Sequence, residues 1–248
     1  YIDDTFKSEE DLERGLSIPP LGTVYTMRGK RLGEKLISSH SPFSPASEAY
    51  RFLRSNIRFV SIDKPYRSMM ITSANPGEGK STTAANLAVV MAQAGLETIL
   101  VDADLRQPKQ HTIFNLPNDT GLTDALRSAQ CCMTDYLHKT DVEHLHVLTS
   151  GERPPNPTEL LGSRRMTLVL ESLAELADVV VLDSVPVLPV ADALILSNQV
   201  DGVVLVVDAG RSRRSSVLAA LQKLRHADAH VWGAVLNRVA LKKRMPYY

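Results

Sequence analysis

The sequence has few cysteines, no excess of either charge and no long apolar run, and each shortage excludes a class of protein. Its two cysteines, Cys131 and Cys132, are adjacent. They are therefore poorly placed for a mutual disulfide or a metal site, and a reducing compartment is expected. The 28 basic and 28 acidic side chains balance, which argues against a nucleic-acid-binding protein. No run of about 18 apolar residues occurs, so the sequence predicts no transmembrane helix.

Six segments rich in valine, isoleucine and leucine predict strands that are covered on both faces, because they lack strict alternation of polar and apolar residues. They are residues 68–73, 98–102, 144–150, 178–183, 202–208 and 231–237. Helical patterns lie between most of them, at residues 81–94, 158–177, 191–199 and 213–227. This order predicts an α/β fold, a doubly wound, mostly parallel sheet flanked by helices, with ligands bound beyond the carboxyl ends of the strands.

The first 45 residues show no such regularity and are interpreted as an irregular, polar segment. The Ser- and Pro-rich stretch 41–47 is interpreted as a linker. A helix with residues 48–60 as its body is predicted to follow, capped by Ser44 or Ser47. The predicted division of the chain is 1–45 for an N-terminal juxtamembrane or linker segment, 46–240 for the main domain and 241–248 for a C-terminal tail.

A phosphate-binding loop is predicted where the first strand candidate meets the first helical pattern of the main domain. Gly79-Lys80-Ser81 closes a Walker A pattern in which Ala74 stands at the first glycine. A turn of small residues points backbone N–H groups at phosphate oxygens, and the following helix adds its positive N-terminal end. Lys80 can then reach the outer phosphates. The predicted nucleotide-binding residues of the loop are Ala74, Asn75, Pro76, Gly77, Glu78, Gly79, Lys80, Ser81 and Thr82.

Three aspartates stand at the ends of two strand candidates. Asp102 ends one strand and Asp104 comes two residues later, so both side chains are expected to face the phosphate site. Asp183 ends a second strand, in a Walker B-like position. Carboxylates beside a phosphate loop suit Mg²⁺, which prefers oxygen ligands. The predicted catalytic residues are Lys80, Asp102, Asp104 and Asp183, and the predicted metal ligands are Ser81, Asp104 and Asp183.

Five stretches together resemble the bacterial tyrosine kinase (BY-kinase) family, and more closely the cytoplasmic kinase domain of Wzc-type polysaccharide co-polymerases. They are SPASEAYRFLRSNIRF, SANPGEGKSTTAANLA, ILVDADLRQP, GERPPNPTELL and VVLDSVPVLPVADA. A Walker A motif alone is shared by many unrelated families, whereas the third and fourth stretches are much narrower. The resemblance implies a P-loop NTPase fold of the SIMIBI, MinD-like type and transfer of the ATP γ-phosphoryl group to tyrosine. The implied ligands are ATP or ADP and Mg²⁺.

The resemblance also implies roles for single residues of the site. Asp102 would accept the tyrosine hydroxyl proton or position that hydroxyl, while Asp104 and Asp183 would organise the metal and its waters. Asn237 would contact adenine, since an amide at a strand end can both donate to and accept from a base edge. The alternative for Asn237 is an asparagine that merely ends a strand.

The resemblance implies roles for two further groups of residues. Glu48, Arg51 and Arg54 cover one flank of a helix, which in the family lies at the subunit interface of a ring. The alternative is a solvated helix face with one Glu–Arg pair. Tyr247 and Tyr248 would be the phosphate acceptors, although this cluster is shorter than the family's usual tail. Their alternative is a pair of end residues without a role.

The implied partners are further copies of the chain in a homo-oligomeric ring, for instance an octamer, a cognate tyrosine phosphatase and the polysaccharide export machinery, without nucleic acid. Because the chain starts at Tyr1, we expect a piece of a longer protein. That piece would be the cytoplasmic domain of a bacterial inner-membrane protein, attached through spans outside this chain. Two other functions stay open: an ATP-gated assembly module with little kinase activity, and a partition-type ATPase. Asn75 argues against the last, because many such ATPases carry an additional lysine there.

Overall fold

Eight strands of the described residues form one sheet that carries the core of the fold. The computed structural model describes residues 4–27, 29, 31–37, 43–61, 65–128 and 132–241. The strands are β1 (Pro20–Tyr25), β2 (Ser68–Ser73), β3 (Thr98–Asp102), β4 (Leu137–Lys139), β5 (Leu145–Leu148), β6 (Val179–Asp183), β7 (Gly202–Asp208) and β8 (Val231–Val239). Their order across the sheet is β1-β8-β7-β2-β6-β3-β5-β4. All neighbouring pairs are parallel except β4–β5.

Helices pack on both faces of this sheet. They are α1 (Glu9–Leu16), α2 (Pro45–Val60), α3 (Lys80–Ala92), α4 (Gln110–Phe114), α5 (Leu122–Arg127), α6 (Pro157–Leu161), α7 (Arg164–Leu176), α8 (Asp192–Ser197) and α9 (Arg214–His226). Short 3-10 helices occupy Gly33–Lys35 and Met133–Tyr136. Within the described residues, no helix combines the length and the apolar character needed to cross a membrane.

The sheet separates two apolar clusters, which explains why its strands are apolar throughout. Along β2, Met70 packs into one cluster, while Met69 and Ile71 pack into the other. Helices α2 and α3 cover the second face, and α1, α5, α7 and α9 cover the first. Strands buried on both faces need no polar positions, as the sequence pattern predicts. The doubly wound, mostly parallel α/β fold is confirmed.

All six predicted strands are present, and three of them have the predicted bounds. The predicted helix over 158–177 is wrong as a single element, because it is divided into α6 and α7. Helix α6 ends at Leu161, with Gly162 as its C-cap residue. The Ser163 side chain then accepts a hydrogen bond from the Met166 backbone N–H and starts α7. A serine cap in the middle of an apolar pattern is enough to begin a new helix.

The prediction of an irregular segment over residues 1–45 is wrong for two stretches. Helix α1 begins after Ser8, whose side chain accepts a hydrogen bond from the Asp11 backbone N–H. Strand β1 pairs in parallel with β8 and forms one edge of the sheet. Pro20 and Gly22 weaken a strand pattern, but both residue types are tolerated at a sheet edge or an irregularity. The domain boundary at residue 45 stays a prediction.

Helix α2 begins where one of the two predicted caps places it. The Ser44 hydroxyl accepts a hydrogen bond from the Ser47 backbone N–H at 3.2 Å, and Pro45 occupies the first helical position. Proline is favoured there because its missing N–H would have no partner in the helix. Ser44 is therefore the cap. The interpretation of 41–47 as a linker is wrong for residues 45–47, which form the first turn of α2, and residues 41 and 42 lie outside the described residues.

Candidate active site

The phosphate-binding loop connects β2 to α3, as predicted. Gly77 and Gly79 have φ values of 84° and 101°, a region that L-residues with a Cβ atom rarely adopt. A Cβ atom on Gly79 would also lie 2.0 Å from Nδ2 of Asn237. Glycine at position 79 is thus required by the backbone and by the close approach of β8. The strand–loop–helix arrangement that a Walker A motif needs is present.

Side chains from β8 hold the carbonyl groups of the loop. Asn237 Nδ2 donates to the Glu78 carbonyl oxygen at 2.9 Å, and the Asn237 Oδ1 accepts from the Arg238 backbone N–H at 2.9 Å. The Arg238 guanidinium donates to the Gly77 carbonyl at 2.8 Å and to Asp208 Oδ2 at 2.6 Å. No sequence motif singles out Arg238. Asn237 lies beside the loop, and its contact with adenine stays a prediction.

Glu78 faces into the protein rather than into the site. Its Oε2 accepts a hydrogen bond from the Asn75 backbone N–H at 2.9 Å, and its Oε1 accepts from the Ser212 hydroxyl at 2.6 Å. Glu78 and Ala74 are both buried. In this geometry Ala74, Asn75 and Glu78 shape the loop, while the other six predicted loop residues line the cavity in front of it.

That cavity has a volume of about 370 Å³ and a mixed lining. Basic side chains from three elements surround it, together with an apolar wall. The lining residues are Leu32, Pro76, Gly77, Gly79, Lys80, Ser81, Thr82, Asp104, Arg106, Gln107, Lys109, Val185, Pro186, Pro189, Val190 and Arg238. Four cationic side chains at one cavity favour a polyanionic ligand such as a nucleotide polyphosphate.

Lys80 lies between two carboxylates at the base of the cavity. Its Nζ is 2.8 Å from Asp104 Oδ2 and 3.5 Å from Asp183 Oδ1. All three side chains are almost completely buried. Burial, the largest single influence, lowers the pKa of Lys80, but the negative charges of Asp183 and Asp104 outweigh it and raise that pKa. The Lys80 ammonium is therefore charged and held where the loop ends.

Asp102 and Asp104 do not both face the cavity, which corrects the expectation from strand alternation. Strand β3 ends at Asp102, so the two-residue period does not extend to Asp104. Asp104 lines the cavity, whereas Asp102 is fully buried. Asp102 Oδ2 accepts hydrogen bonds from the backbone N–H groups of Lys109 and Gln110, both at 2.8 Å. The roles predicted for the two acids stay predictions.

Asp102 and Asp183 are direct neighbours on adjacent strands. Burial and the nearby Asp183 charge raise the pKa of Asp102 to about 8, against the opposing effect of its two backbone hydrogen bonds. Burial also raises the pKa of Asp183, although Lys80 and hydrogen bonds from Gln110 and Ser81 oppose the shift. Perturbed carboxyl groups of this kind concentrate at functional sites.

Arg106 connects the third, fourth and fifth resemblance stretches in space. Its guanidinium donates to both carboxylate oxygens of Asp192 at 2.7 and 3.0 Å, and to the Thr158 hydroxyl at 3.0 Å. Thr158 in turn donates to Asp192 at 2.7 Å. A bidentate arginine–carboxylate pair fixes geometry strongly. It ties the turn after β3 to α6 and α8, beside the cavity.

The predicted interface residues lie on α2, away from these contacts. Glu48 and Arg51 form an ion pair with each other. The Arg54 guanidinium donates to the Val90 carbonyl at 2.7 Å, in the last turn of α3. The Arg54 side chain thus forms an intramolecular hydrogen bond that joins α2 to α3. The same helix exposes the large apolar side chain of Phe52, 69% accessible to solvent, which no sequence motif singles out.

The chain is similar to known proteins over most of its length. The family model of the CobQ/CobB/MinD/ParA nucleotide binding domain matches residues 69–246. The tyrosine-protein kinase YwqD of Bacillus subtilis (strain 168) is 45% identical over 220 residues, which are 89% of this chain and 92% of that protein. The chain belongs to this family of bacterial tyrosine-protein kinases.

Two further matches extend the comparison. The structure of the chimerical protein CapA2B2 superposes with a TM-score of 0.87 at 41% identity, covering 94% of this chain and all of that one. The tyrosine-protein kinase etk of Escherichia coli (strain K12) is 34% identical over 212 residues, which are 84% of this chain but 28% of that protein. The family resemblance and the P-loop NTPase fold predicted from the sequence are confirmed.

Proposed function

We propose that this domain binds Mg·ATP and transfers the γ-phosphoryl group to the hydroxyl of tyrosine. The observation that carries the proposal is the meeting of Lys80 with Asp104 and Asp183 where the phosphate loop enters α3. Phosphoryl transfer needs chiefly the positioning of its reactants and the stabilisation of negative charge. A buried ammonium, a helix N-terminus and strand-end carboxylates at one cavity can supply both.

In the proposed reaction, the phenolic oxygen forms a bond to the γ-phosphorus and the bond from that phosphorus to the β,γ-bridging oxygen breaks. ADP leaves, and the phenolic proton passes to a carboxylate. Asp102 is proposed to accept this proton or to position the hydroxyl. Lys80 offsets negative charge on the outer phosphate oxygens, and the backbone N–H groups of the loop bind those nearer the ribose.

The side chains at the base of the cavity fit magnesium. The Ser81 hydroxyl and the carboxylates of Asp104 and Asp183 are oxygen donors, and Asp183 Oδ1 is buried without a hydrogen-bond partner among the described residues. Within that part of the chain, no three His, Cys, Asp or Glu side chains converge as a complete metal site. Mg²⁺ is usually held by one or two carboxylates plus substrate phosphates. When bound, it would neutralise charge on the transferred group.

We propose that the acceptors are Tyr247 and Tyr248, phosphorylated in trans by a neighbouring copy. Both lie outside the described residues. With Mg·ATP, the intact mass of the purified chain should increase in steps of one phosphate. The double variant Tyr247→Phe and Tyr248→Phe should lose these steps, while the control Tyr25→Phe, in the edge strand β1, should keep them.

The same incubation with Mg·ATP distinguishes the kinase from the two rival functions, when oligomer size and released phosphate are measured beside the intact mass. An ATP-dependent change in oligomer size without any mass step would favour an ATP-gated assembly module. Many turnovers of free phosphate without protein labelling would favour a partition-type ATPase. Either result would overturn the kinase proposal.

We further propose that α2 forms part of an interface between copies of this chain in a ring. The exposed Phe52 beside the Glu48–Arg51 pair supports a contact surface, because large exposed apolar side chains next to charged ones are common at interfaces. Arg51→Ala should shift the sedimentation profile towards monomer. Arg225→Ala, an exposed arginine of α9, is the matched control. An unchanged profile of the Arg51→Ala variant would remove α2 from the interface.

The wider setting is proposed from the relatives. The match to 28% of etk is compatible with a kinase domain that is one part of a longer chain. We propose that this domain lies on the cytoplasmic side of a bacterial inner membrane and regulates polysaccharide polymerisation and export. A cognate tyrosine phosphatase would reverse its phosphorylation.

A further inference from the structure

Gln110 contacts three elements of the candidate active site, although it belongs to none of the motifs described in the sequence. Its backbone N–H donates to Asp102 Oδ2 at 2.8 Å. Its side-chain Nε2 donates to Asp183 Oδ2 at 2.8 Å and to the Ser81 carbonyl at 3.1 Å. One buried residue thus connects the ends of β3 and β6 and the first turn of α3.

The local chain conformation explains how Gln110 reaches all three. Pro108 and Lys109 lead into α4, and Gln110 is the first residue of that helix. The first N–H groups of a helix have no partner inside it. Those of Lys109 and Gln110 are satisfied by Asp102. This fixes the start of α4 against β3 and leaves the Gln110 side chain between Asp183 and the phosphate loop.

A neutral amide suits this position better than a charged group. Nε2 carries two hydrogens, one for the Asp183 carboxylate and one for the Ser81 carbonyl. A glutamate would place a third acid beside Asp102 and Asp183, and like charges at that distance oppose each other. A lysine would compete with Lys80 for Asp183.

The side-chain oxygen of Gln110 also bears on the role of this residue. Its Oε1 is buried and has no hydrogen-bond partner among the described residues. A buried polar atom without a partner costs stability, so an apolar side chain of similar size would serve better if this residue only filled space. The two donated hydrogen bonds are therefore the physical reason for an amide at this position.

We propose that Gln110 is a positioning residue for phosphoryl transfer, an inference that rests on the proposed kinase function. By binding Asp183 Oδ2 it directs Oδ1 towards Lys80 and the proposed metal position. By binding the Ser81 carbonyl it fixes the first turn of α3, and with it the Ser81 hydroxyl, relative to Asp183. Gln110 does not line the cavity, so its proposed action passes through Asp183 and Ser81.

The test uses Gln110→Met, which keeps a similar side-chain volume and removes both donated hydrogen bonds. The control is Gln222→Met at an exposed position of α9. Residues that orient metal ligands typically contribute about 10–100-fold to metal affinity or activity. We expect the autophosphorylation rate of Gln110→Met to fall by about that factor, and the Mg²⁺ concentration for half-maximal rate to rise. ADP affinity without Mg²⁺ should stay within about threefold of wild type, because Gln110 lies behind the loop.

Isothermal titration of ADP with and without Mg²⁺ separates this role from a purely structural one. The Mg²⁺-dependent gain in ADP affinity should shrink in Gln110→Met and stay intact in Gln222→Met. An unchanged gain, or a rate loss matched by an equal loss of folded protein, would overturn the inference. If wild type binds Mg·ADP but labels no tyrosine, the kinase proposal fails, while the titration still decides whether Gln110 orients the metal ligands.

Discussion

Replacing Lys80 with methionine should abolish phosphate labelling of the chain, with a rate loss of at least about 10²-fold, the usual cost of removing one group that stabilises transition-state charge. The ammonium is charged, buried and within 4 Å of two acids, so no solvent cation can replace it efficiently. Intact mass after incubation with Mg·ATP measures the effect. Lys223→Met, at an exposed position in α9, should label like wild type.

Stability must be followed in the same experiment, because Lys80 also compensates buried charge. Without its ammonium, Asp104 and Asp183 lose their cationic partner, and an uncompensated buried charge is destabilising. Lys80→Arg keeps the positive charge in a bulkier, planar group and provides a second variant in which the two acids retain a cationic partner. Undiminished labelling in both variants would mean that the phosphate loop does not bind the transferred group as proposed.

The sequence was most informative where the structure depends on local pattern. Strands β2, β3 and β7 have the predicted bounds, because strands buried on both faces are continuous apolar runs. The phosphate loop was also predictable, since the glycines and Lys80 follow from the geometry of a turn between a strand and a helix. Ser44 was one of two predicted caps because an N-cap depends on only three neighbouring residues.

The features that were missed depend on residues far apart in the chain. Strand β1 carries Pro20 and Gly22 and is a strand only because it pairs with β8, more than 200 residues later. Gln110 and Arg238 act through side-chain contacts with other elements, and neither belongs to a spacing pattern that the sequence displays. Three-dimensional packing, rather than propensity, determines these positions.

The direction of the Asp102 side chain could not be predicted from strand alternation. Alternation holds only while the chain remains a strand, and β3 ends at Asp102 itself. The following turn moves Asp104 into the cavity, while the start of α4 covers Asp102. The sequence placed these acids at the strand ends but could not assign the directions of their side chains.

Asp102→Asn should separate phosphoryl transfer from nucleotide binding. Asparagine matches the carboxyl in size but cannot accept a proton, and proton transfer to a positioned side chain typically contributes about 10²–10⁴-fold. Burial raises the pKa of Asp102 to about 8, so the comparison is made at pH 8.5, where the carboxyl is largely ionised. There we expect a loss of labelling rate in that range, while ADP affinity measured by calorimetry changes little, because Asp102 does not line the cavity. Equal losses of labelling and of Mg·ADP affinity would assign Asp102 to the metal instead.

The same substitution should stabilise the ligand-free protein at neutral and alkaline pH. Burial and the Asp183 charge raise the pKa of Asp102 to about 8 in the folded state, far above the ordinary value of an aspartate side chain. A carboxyl whose pKa is raised by folding contributes full stability below the unfolded pKa, and this contribution is lost as the pH rises through the folded pKa. The stability of the wild-type protein should therefore fall between about pH 4 and pH 8. The Asp102→Asn variant should lack the part of this fall that comes from ionisation of Asp102.

Urea denaturation with EDTA and without nucleotide provides the measurement. The stability advantage of Asp102→Asn should be small at pH 4.5 and grow to about 2–4 kcal/mol at pH 8.5, less than the full shift of the pKa would give because Asp183 stays ionisable beside it. Asp178→Asn is a suitable control, because it is the same substitution at an exposed carboxylate just before β6. An advantage that does not depend on pH would show that the carboxyl of Asp102 is ionised in the folded protein, compensated by Lys80 and the α4 backbone. Asp102 can accept the tyrosine proton only in its ionised form, so that outcome would favour the base role, whereas the expected pH-dependent advantage would favour positioning of the hydroxyl at neutral pH.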